Sequence, residues 1–329
     1  MIFVRPDDAI PSGGNVYDRR VIDGLRETGW EVTEIAIAGS WPRPSAAESA
    51  ALGRELAAAT DGSLVVLDGL VACGVPDVVV PHAHRLRLVV LVHLPLGDEG
   101  GPDLDARERT VLHAARAVVT TSPAAAERVR RHHGLAQVHV VIPGTDAAEP
   151  APGTDGVSRL VCVASVTPRK GQDLLVEALT AVADRRWTLD CVGPLERDPS
   201  YVGRVRELIA AHGLGARVRL LGSRTAIDAV YAEADLVVLP SRAETYGMVV
   251  TEALARGIPV LASATPDALG DAGLSFPPGD LAALTAALRA WFDDPALREN
   301  LHRSAHRRRG ALTPWTHTVR RMTRILATV

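Results

Sequence analysis

The sequence predicts an α/β protein made of two doubly wound domains in tandem, and three observations lead there. Short runs rich in Val, Ile and Leu are apolar throughout and do not alternate, as strands buried on both faces of a parallel sheet are. Ala- and Leu-rich segments of helical period separate them, giving a β-α-β-α rhythm. The rhythm breaks once, at DAAEPAPGTDG (146–156), a polar stretch with two prolines and two glycines that reads as a linker.

In chain order, the first half offers strands at IFV (2–4), VTEIAI (32–37), SLVVLD (63–68), LRLVVLVH (86–93), AVVTTS (117–122) and VHVVIP (138–143). The second half offers RLVCVAS (159–165), TLDCVG (188–193), RVRLLG (217–222), DLVVLP (235–240) and IPVLAS (258–263). Helical patterns cover 16–28, 46–59, 123–132, 171–183 and 248–256. Residues 280–329 read as mostly helical, with a break at GALTP (310–314) and a final helix from about 315. Each half opens with a strand, a turn-rich loop and a helix. Two such Rossmann-like domains would set a ligand cleft at the carboxyl ends of their sheets.

The bulk numbers agree. A chain of 329 residues exceeds what one core usually supports, so two domains are expected. Hydrophobic content of 47% and 23% charge describe a globular protein. A net charge of −3 gives no basic surplus for a nucleic-acid backbone, so no nucleic-acid partner is expected. Cys73, Cys162 and Cys191 lie far apart in apolar surroundings and read as small buried hydrophobes, which fits a reducing cytoplasm. The opening MIFVRPDDAI meets charge too soon for a signal peptide, and no apolar run is long enough for a membrane span.

Three stretches carry candidate chemistry. In VASVTPRKGQDLL (163–175), Arg169 and Lys170 fall between a strand and a helix, where unpaired amides and the helix dipole favour a phosphate. Lys170 is the only lysine in the chain. GC-rich coding bias accounts for the scarcity of lysine, but not for the one that remains. In SRAETYGMVVTEALARGIPVLAS (241–263), Glu244 sits in the loop after a strand and Glu252 lies just over one turn into a helix. Gly247 allows the tight entry, so the amides of Gly247, Met248 and Val249 would face a bound anion. In PSGGNVYDRRVIDGLRETGWEV (11–32), Gly13 and Gly14 let a phosphate or sugar approach the backbone. The pattern is not G-x-G-x-x-G, which argues against a dinucleotide cofactor.

Together these stretches resemble the retaining GT-B glycosyltransferases of family 4, the group 1 type. The resemblance covers nearly the whole chain: PSGGNV with GWEV, the strand ending in His93, TTSPAAAERV (120–129), PRKGQDLLVEAL (168–179), FPPGD (276–280) and the closing Pro314-Trp315. It is strongest at SRAETYGMVVTEALARGIPV, with its E-x7-E spacing. It implies an acceptor-side domain over 1–150, a nucleotide-sugar-binding domain over 151–311, and a final helix, 312–329, packing back on the first domain. It also implies that Arg169 and Lys170 hold the donor diphosphate and that Glu252 accepts from the ribose hydroxyls. Glu244 would face the hexose among Tyr246, Gly247, Met248 and Val249, as an orienting and electrostatic group. His93 would lie near the sugar on the acceptor side, Gly13 and Gly14 would meet the phosphate, and the backbone at Leu221 would meet the base.

The implied activity is retaining, metal-independent transfer of a hexose from a UDP- or GDP-linked donor to a hydroxyl of a soluble small molecule, with no cofactor. Two alternatives stay open. One is a transferase acting on a membrane lipid or a growing saccharide. The other is a nucleotide-sugar epimerase or binder on the same architecture. Membrane association is not expected, since the first domain shows no continuous basic amphipathic helix.

The chain departs from the family pattern at Pro143-Gly144-Thr145-Asp146 and at Ala264-Thr265-Pro266, where Asn-Gly-Val-Asp and a glycine pair are common. Asp103-Leu-Asp105 spells D-x-D but reads as a solvated Gly/Pro loop. His82 and His84 lack a third ligand at suitable spacing, so no metal is expected. Arg128, Arg130, Arg131 and Arg307–Arg309 read as solvated helix ends.

Overall fold

The computed structural model describes residues 1–7, 10 and 12–329, apart from the side chains of 98–100. Pro11 of the PSGGNV stretch lies outside the described residues. Met1–Gly144 together with Thr313–Val329 form one compact unit, and Thr145–Leu312 form a second. Among the described residues no helix is long and apolar enough to cross a membrane.

The first unit contains a parallel sheet of β1 (Ile2–Pro6), β2 (Thr33–Ile37), β3 (Leu64–Asp68), β4 (Arg87–Val92), β5 (Ala117–Thr120) and β6 (His139–Val140), in the order β2-β1-β3-β4-β5-β6. The order reverses between β1 and β3. Ligands of open α/β sheets bind beyond the carboxyl ends of strands at such a switch point. Strands β3 and β5 are buried along their whole length, which is why they read as unbroken apolar runs. The last strand shrinks to two residues, because beyond Val140 the chain turns to meet the C-terminal helix. Thr318 donates to the Ile142 carbonyl at 2.9 Å, and Gly144 lies so close to Trp315 that a Cβ would come within 2.4 Å of its Cα. The helix Trp315–Leu326 buries Val319, Met322, Ile325 and Leu326, and packs against the helix Gly13–Glu27. A Cβ at Gly24 would stand 2.3 Å from the Val319 side chain.

The second unit repeats the plan with β7 (Arg159–Val163), β8 (Thr188–Val192), β9 (Val218–Gly222), β10 (Leu236–Leu239), β11 (Val260–Ala262) and β12 (Leu274–Ser275). These are all parallel in the order β12-β11-β10-β7-β8-β9. This is the dinucleotide-fold order, with its switch point between β7 and β10. Trp187, Tyr201 and Trp291 fill the core around β7 and β8. Cys162 and Cys191, far apart in sequence, are opposite each other in the β7–β8 register as free, fully buried thiols. The stretch 146–156 carries no helix or strand. The buried Asp235 carboxylate holds its end, accepting from the amides of Thr154 (2.7 Å), Gly156 (3.1 Å) and Arg159 (2.9 Å).

Two local readings are corrected. The D-x-D at 103–105 is not in a loop but in the helix Gly97–Ala114, kinked at Gly101 (φ 75°), after which Pro102 restarts it. Asp103 pairs with Arg43 and Arg107. Arg309 is not a solvated end, since it donates to the backbone carbonyls of Ala255 and Ala148 at 2.8 Å each.

Candidate active site

In the second unit the sequence-predicted cations and carboxylate come together at the switch point. After β7 the chain extends through Thr167, makes a 3₁₀ turn over Pro168–Lys170, and enters the helix Gln172–Thr180 through Gly171 at φ 69°. Gln172 is fully buried and ties this loop back by donating to the Ser165 carbonyl at 3.0 Å. Arg242 braces it from the facing loop with a two-pronged bond to Asp173 (3.0 and 2.9 Å). The facing loop follows β10 and carries Ser241 and Glu244.

Lys170 forms a direct ion pair with Glu244, Arg169 lies 3.8 Å from the same carboxylate, and the Ser241 hydroxyl donates to it at 2.8 Å. The Glu244 side chain is only 8% exposed and that of Lys170 17%. Burial alone would raise the Glu244 carboxyl, but the Lys170 and Arg169 charges outweigh it and hold the group below its ordinary value. The Glu244 carboxylate is therefore ionised, and the pair is largely desolvated.

Gly247 enters the next helix, Met248–Ala255, at φ 90°, and no side chain caps that helix. Its amino-terminal amides, with Met248 and Val249 half-buried, stay available to an anion. A Cβ at Gly247 would come within 2.6 Å of Thr265. The next residue back in sequence, Ala264, takes φ 58° without being glycine, at the position where the glycine pair of the family pattern is replaced. Tyr246 is buried, which pushes its phenol up to about 12.

Glu252 lies one turn further along and accepts from the Tyr231 hydroxyl at 3.0 Å. Burial raises its carboxyl against the opposing effects of Tyr231 and Arg256. Leu221 is the extra residue of a bulge: Cys191 pairs with Leu220 and Val192 with Gly222, so Leu221 has no partner in the register.

In the first unit, Ser12 caps the helix Gly13–Glu27 by accepting from the Asn15 amide at 3.1 Å. A Cβ on Gly14 would lie 3.2 Å from the His93 ring, so glycine is what lets helix and imidazole meet. The His93 Nε2–H donates to Asp18 Oδ1 at 2.7 Å, Asp68 Oδ2 is 3.8 Å away, and Tyr17 packs edge-on at 5.2 Å between ring centres. Asp18 and Asp68 were not singled out from the sequence. Burial by itself would lower the His93 imidazole, but the Asp18 charge and hydrogen bond, backed by Asp68, carry it to about 9. Burial, then the Asp18 charge, pushes Asp68 up to about 7.

His93 is therefore an imidazolium at neutral pH, a fixed cation and donor. Because its folded pKa is raised, the stability it contributes is complete below about 6.5 and is lost as pH rises through 9. Asp18→Asn is expected to drop the His93 midpoint by at least one pH unit, and with it the stability loss between pH 7 and 9. Histidine-labelled NMR titration, assigned with His93→Gln, reads it directly, and an unmoved midpoint would mean that Asp18 does not hold the charge.

Solved structures share this fold. Sucrose-phosphate synthase from Thermosynechococcus elongatus aligns with a TM-score of 0.79 at 20% identity, over 99% of this chain and 98% of that one. Anabaena HepE in complex with UDP-glucose gives 0.79 at 18% identity, over 100% and 99%. Two doubly wound parallel units of this kind make the GT-B fold. Residues 157–294 match the family described as glycosyl transferases group 1. The D-inositol 3-phosphate glycosyltransferase of Salinispora tropica is 33% identical over 224 residues, 58% of this chain and 45% of that protein. The one from Salinispora arenicola is 31% identical over 280 residues, 75% and 62%. The chain thus spans about half to two thirds of the length of these curated relatives.

Proposed function

We propose that this protein transfers a hexose from a UDP- or GDP-linked donor to a hydroxyl of a soluble small-molecule acceptor, with retention at the anomeric carbon and without a metal or cofactor. The observation that carries this reading is the Arg169–Lys170 cation pair closed on Glu244 at the switch point of the second sheet. On this reading the donor diphosphate takes over the two cations and the amides from Gly247 to Val249, and Glu244 turns to the sugar hydroxyls. The sugar–phosphate bond breaks as the acceptor oxygen attacks from the same face, and the departing diphosphate takes the acceptor's proton. Charge grows on the diphosphate where fixed donors already stand, each typically contributing ~3–4 kcal/mol.

Glu252 receives the ribose hydroxyls, and the unpaired Leu221 backbone and Tyr246 border the nucleoside and sugar. His93, with Gly14 against its ring, acts on the acceptor side as a cationic hydrogen-bond donor, not as a base. The names of the relatives, which specify a phosphorylated cyclitol acceptor, favour a small molecule over a lipid. The UDP-glucose bound by HepE makes UDP the first base to try.

The test is a thermal-shift panel of UDP, GDP and ADP, followed by assays with the matching sugar donors and inositol 3-phosphate as first acceptor. A ligand at 100 times its Kd adds about 2.7 kcal/mol of apparent stability, a readily visible shift. A shift with UDP or GDP, absent in Lys170→Ala, is expected; no shift with any of the three would defeat the reading. Net epimerised donor formed without acceptor would replace transfer by epimerisation. Strong binding to anionic vesicles at physiological salt would replace the soluble acceptor by a lipid.

A further inference from the structure

The first unit holds a second constellation that the transfer reading does not use. Among the described residues, Asp105, His132 and His133 each bring a ligand atom within 4.8 Å of the others. Asp105 belongs to the helix Gly97–Ala114, and the two histidines close the helix Pro123–His133. His132 Nε2 and Asp105 Oδ1 stand 2.5 Å apart, and the two imidazoles meet edge-on at 4.7 Å. All three residues line a cavity of about 420 Å³.

His133 is the informative member. Its side chain is fully buried, and its Nε2 meets the Glu108 carboxylate at 3.2 Å. Glu108 is 1% exposed and also accepts from the Leu96 amide at 3.1 Å. The other ring nitrogen, Nδ1, is buried with no hydrogen-bond partner. An orphaned buried ring nitrogen is costly, whereas a buried imidazole that donates one N–H to a carboxylate and leaves the other nitrogen bare is how ligating histidines are held.

We propose that Asp105, His132 and His133 bind a zinc ion, with Glu108 fixing the His133 ring and water completing the coordination. Two imidazoles and one carboxylate suit zinc and not magnesium or calcium, which take oxygen donors. Donors about 2.0–2.2 Å from a tetrahedral ion stand about 3.3–3.6 Å apart, so Asp105 and His132 part slightly while His133 draws in. The double positive charge balances the carboxylates of Asp105 and Glu108. The ion would join the helices Gly97–Ala114 and Pro123–His133, and through Glu108 fix Leu96, three residues beyond His93.

The test uses the full chain, stripped with a chelator and titrated with zinc chloride against a chromophoric competitor. One equivalent should bind to the wild type. His132→Ala and Asp105→Asn, whose side chains are 55% and 27% exposed, should each weaken binding at least tenfold without unfolding the chain. His93→Gln should leave binding intact, which separates this site from the Asp18–Asp68–His93 group. Failure of the wild type to bind, wild-type affinity in His132→Ala, or loss in His93→Gln would each overturn the proposal. None of these readouts depends on transfer activity.

Discussion

Lys170→Ala is expected to lower turnover at least tenfold while the protein stays folded, and Lys170→Arg is expected to fall short of the wild type. The alanine change removes the cation closest to Glu244 and leaves that carboxylate, 8% exposed, with Arg169 at 3.8 Å and the Ser241 hydroxyl. Stripping one partner from a buried pair costs about 3–5 kcal/mol when nothing else compensates, and here Arg169 does so in part. The loss should fall on kcat more than on KM, since the missing charge acts where the leaving diphosphate becomes more negative. The arginine variant separates charge from shape. A compact ammonium fits between carboxylate and phosphate oxygens, whereas a planar guanidinium needs more width and a fixed fork. Full activity in Lys170→Arg would mean that any cation suffices there and that the lone lysine is an accident of codon usage.

Gly171→Ala should be strongly damaging for a change of a single methyl group. The added Cβ would lie 2.2 Å from the Pro240 carbonyl oxygen, and φ at this residue is 69°. A left-handed alanine alone costs about 1–2 kcal/mol. The carbonyl cannot yield cheaply, because Pro240 follows β10 and leads directly into Ser241. A total loss above about 2 kcal/mol is expected, seen as a lower urea midpoint with an unchanged slope. An unchanged midpoint would show that the loops after β7 and β10 are not packed this tightly. Activity should fall with stability, because those two loops carry Lys170 and Glu244.

Much of this arrangement can be read from residues alone, and the parts that cannot have physical reasons. Runs such as SLVVLD and DLVVLP announce central strands because both their faces are buried. The two-residue strand Leu274–Ser275 has too few side chains to show any pattern. Glu244 and Glu252 stand out by spacing, but their partners Ser241 and Tyr231 do not, since a hydroxyl's role depends on the fold around it.

Asp18 is hard to single out from the sequence, although it leaves a trace there. It shares the buried stripe of its helix with Val21, Ile22 and Leu25, and a carboxylate on an apolar stripe needs a partner. That partner, His93, is 75 residues away. The helix Gly97–Ala114 was hidden by glycines and a proline at its start, which look like a loop until Pro102 is seen to begin a new helical turn.

Lys170 also has a use outside catalysis. With one lysine in the sequence, an amine-selective reagent has a single ε-amine to modify, and that amine is closed in an ion pair with a buried carboxylate. Acylation at neutral pH should be slow in the native protein, fast once the loop opens, and slower still under a bound phosphate ligand. Peptide mapping of the acyl group at Lys170, which separates it from the α-amine of Met1, would thus follow occupancy of the site in solution without a radiolabel, a fluorophore or a substrate.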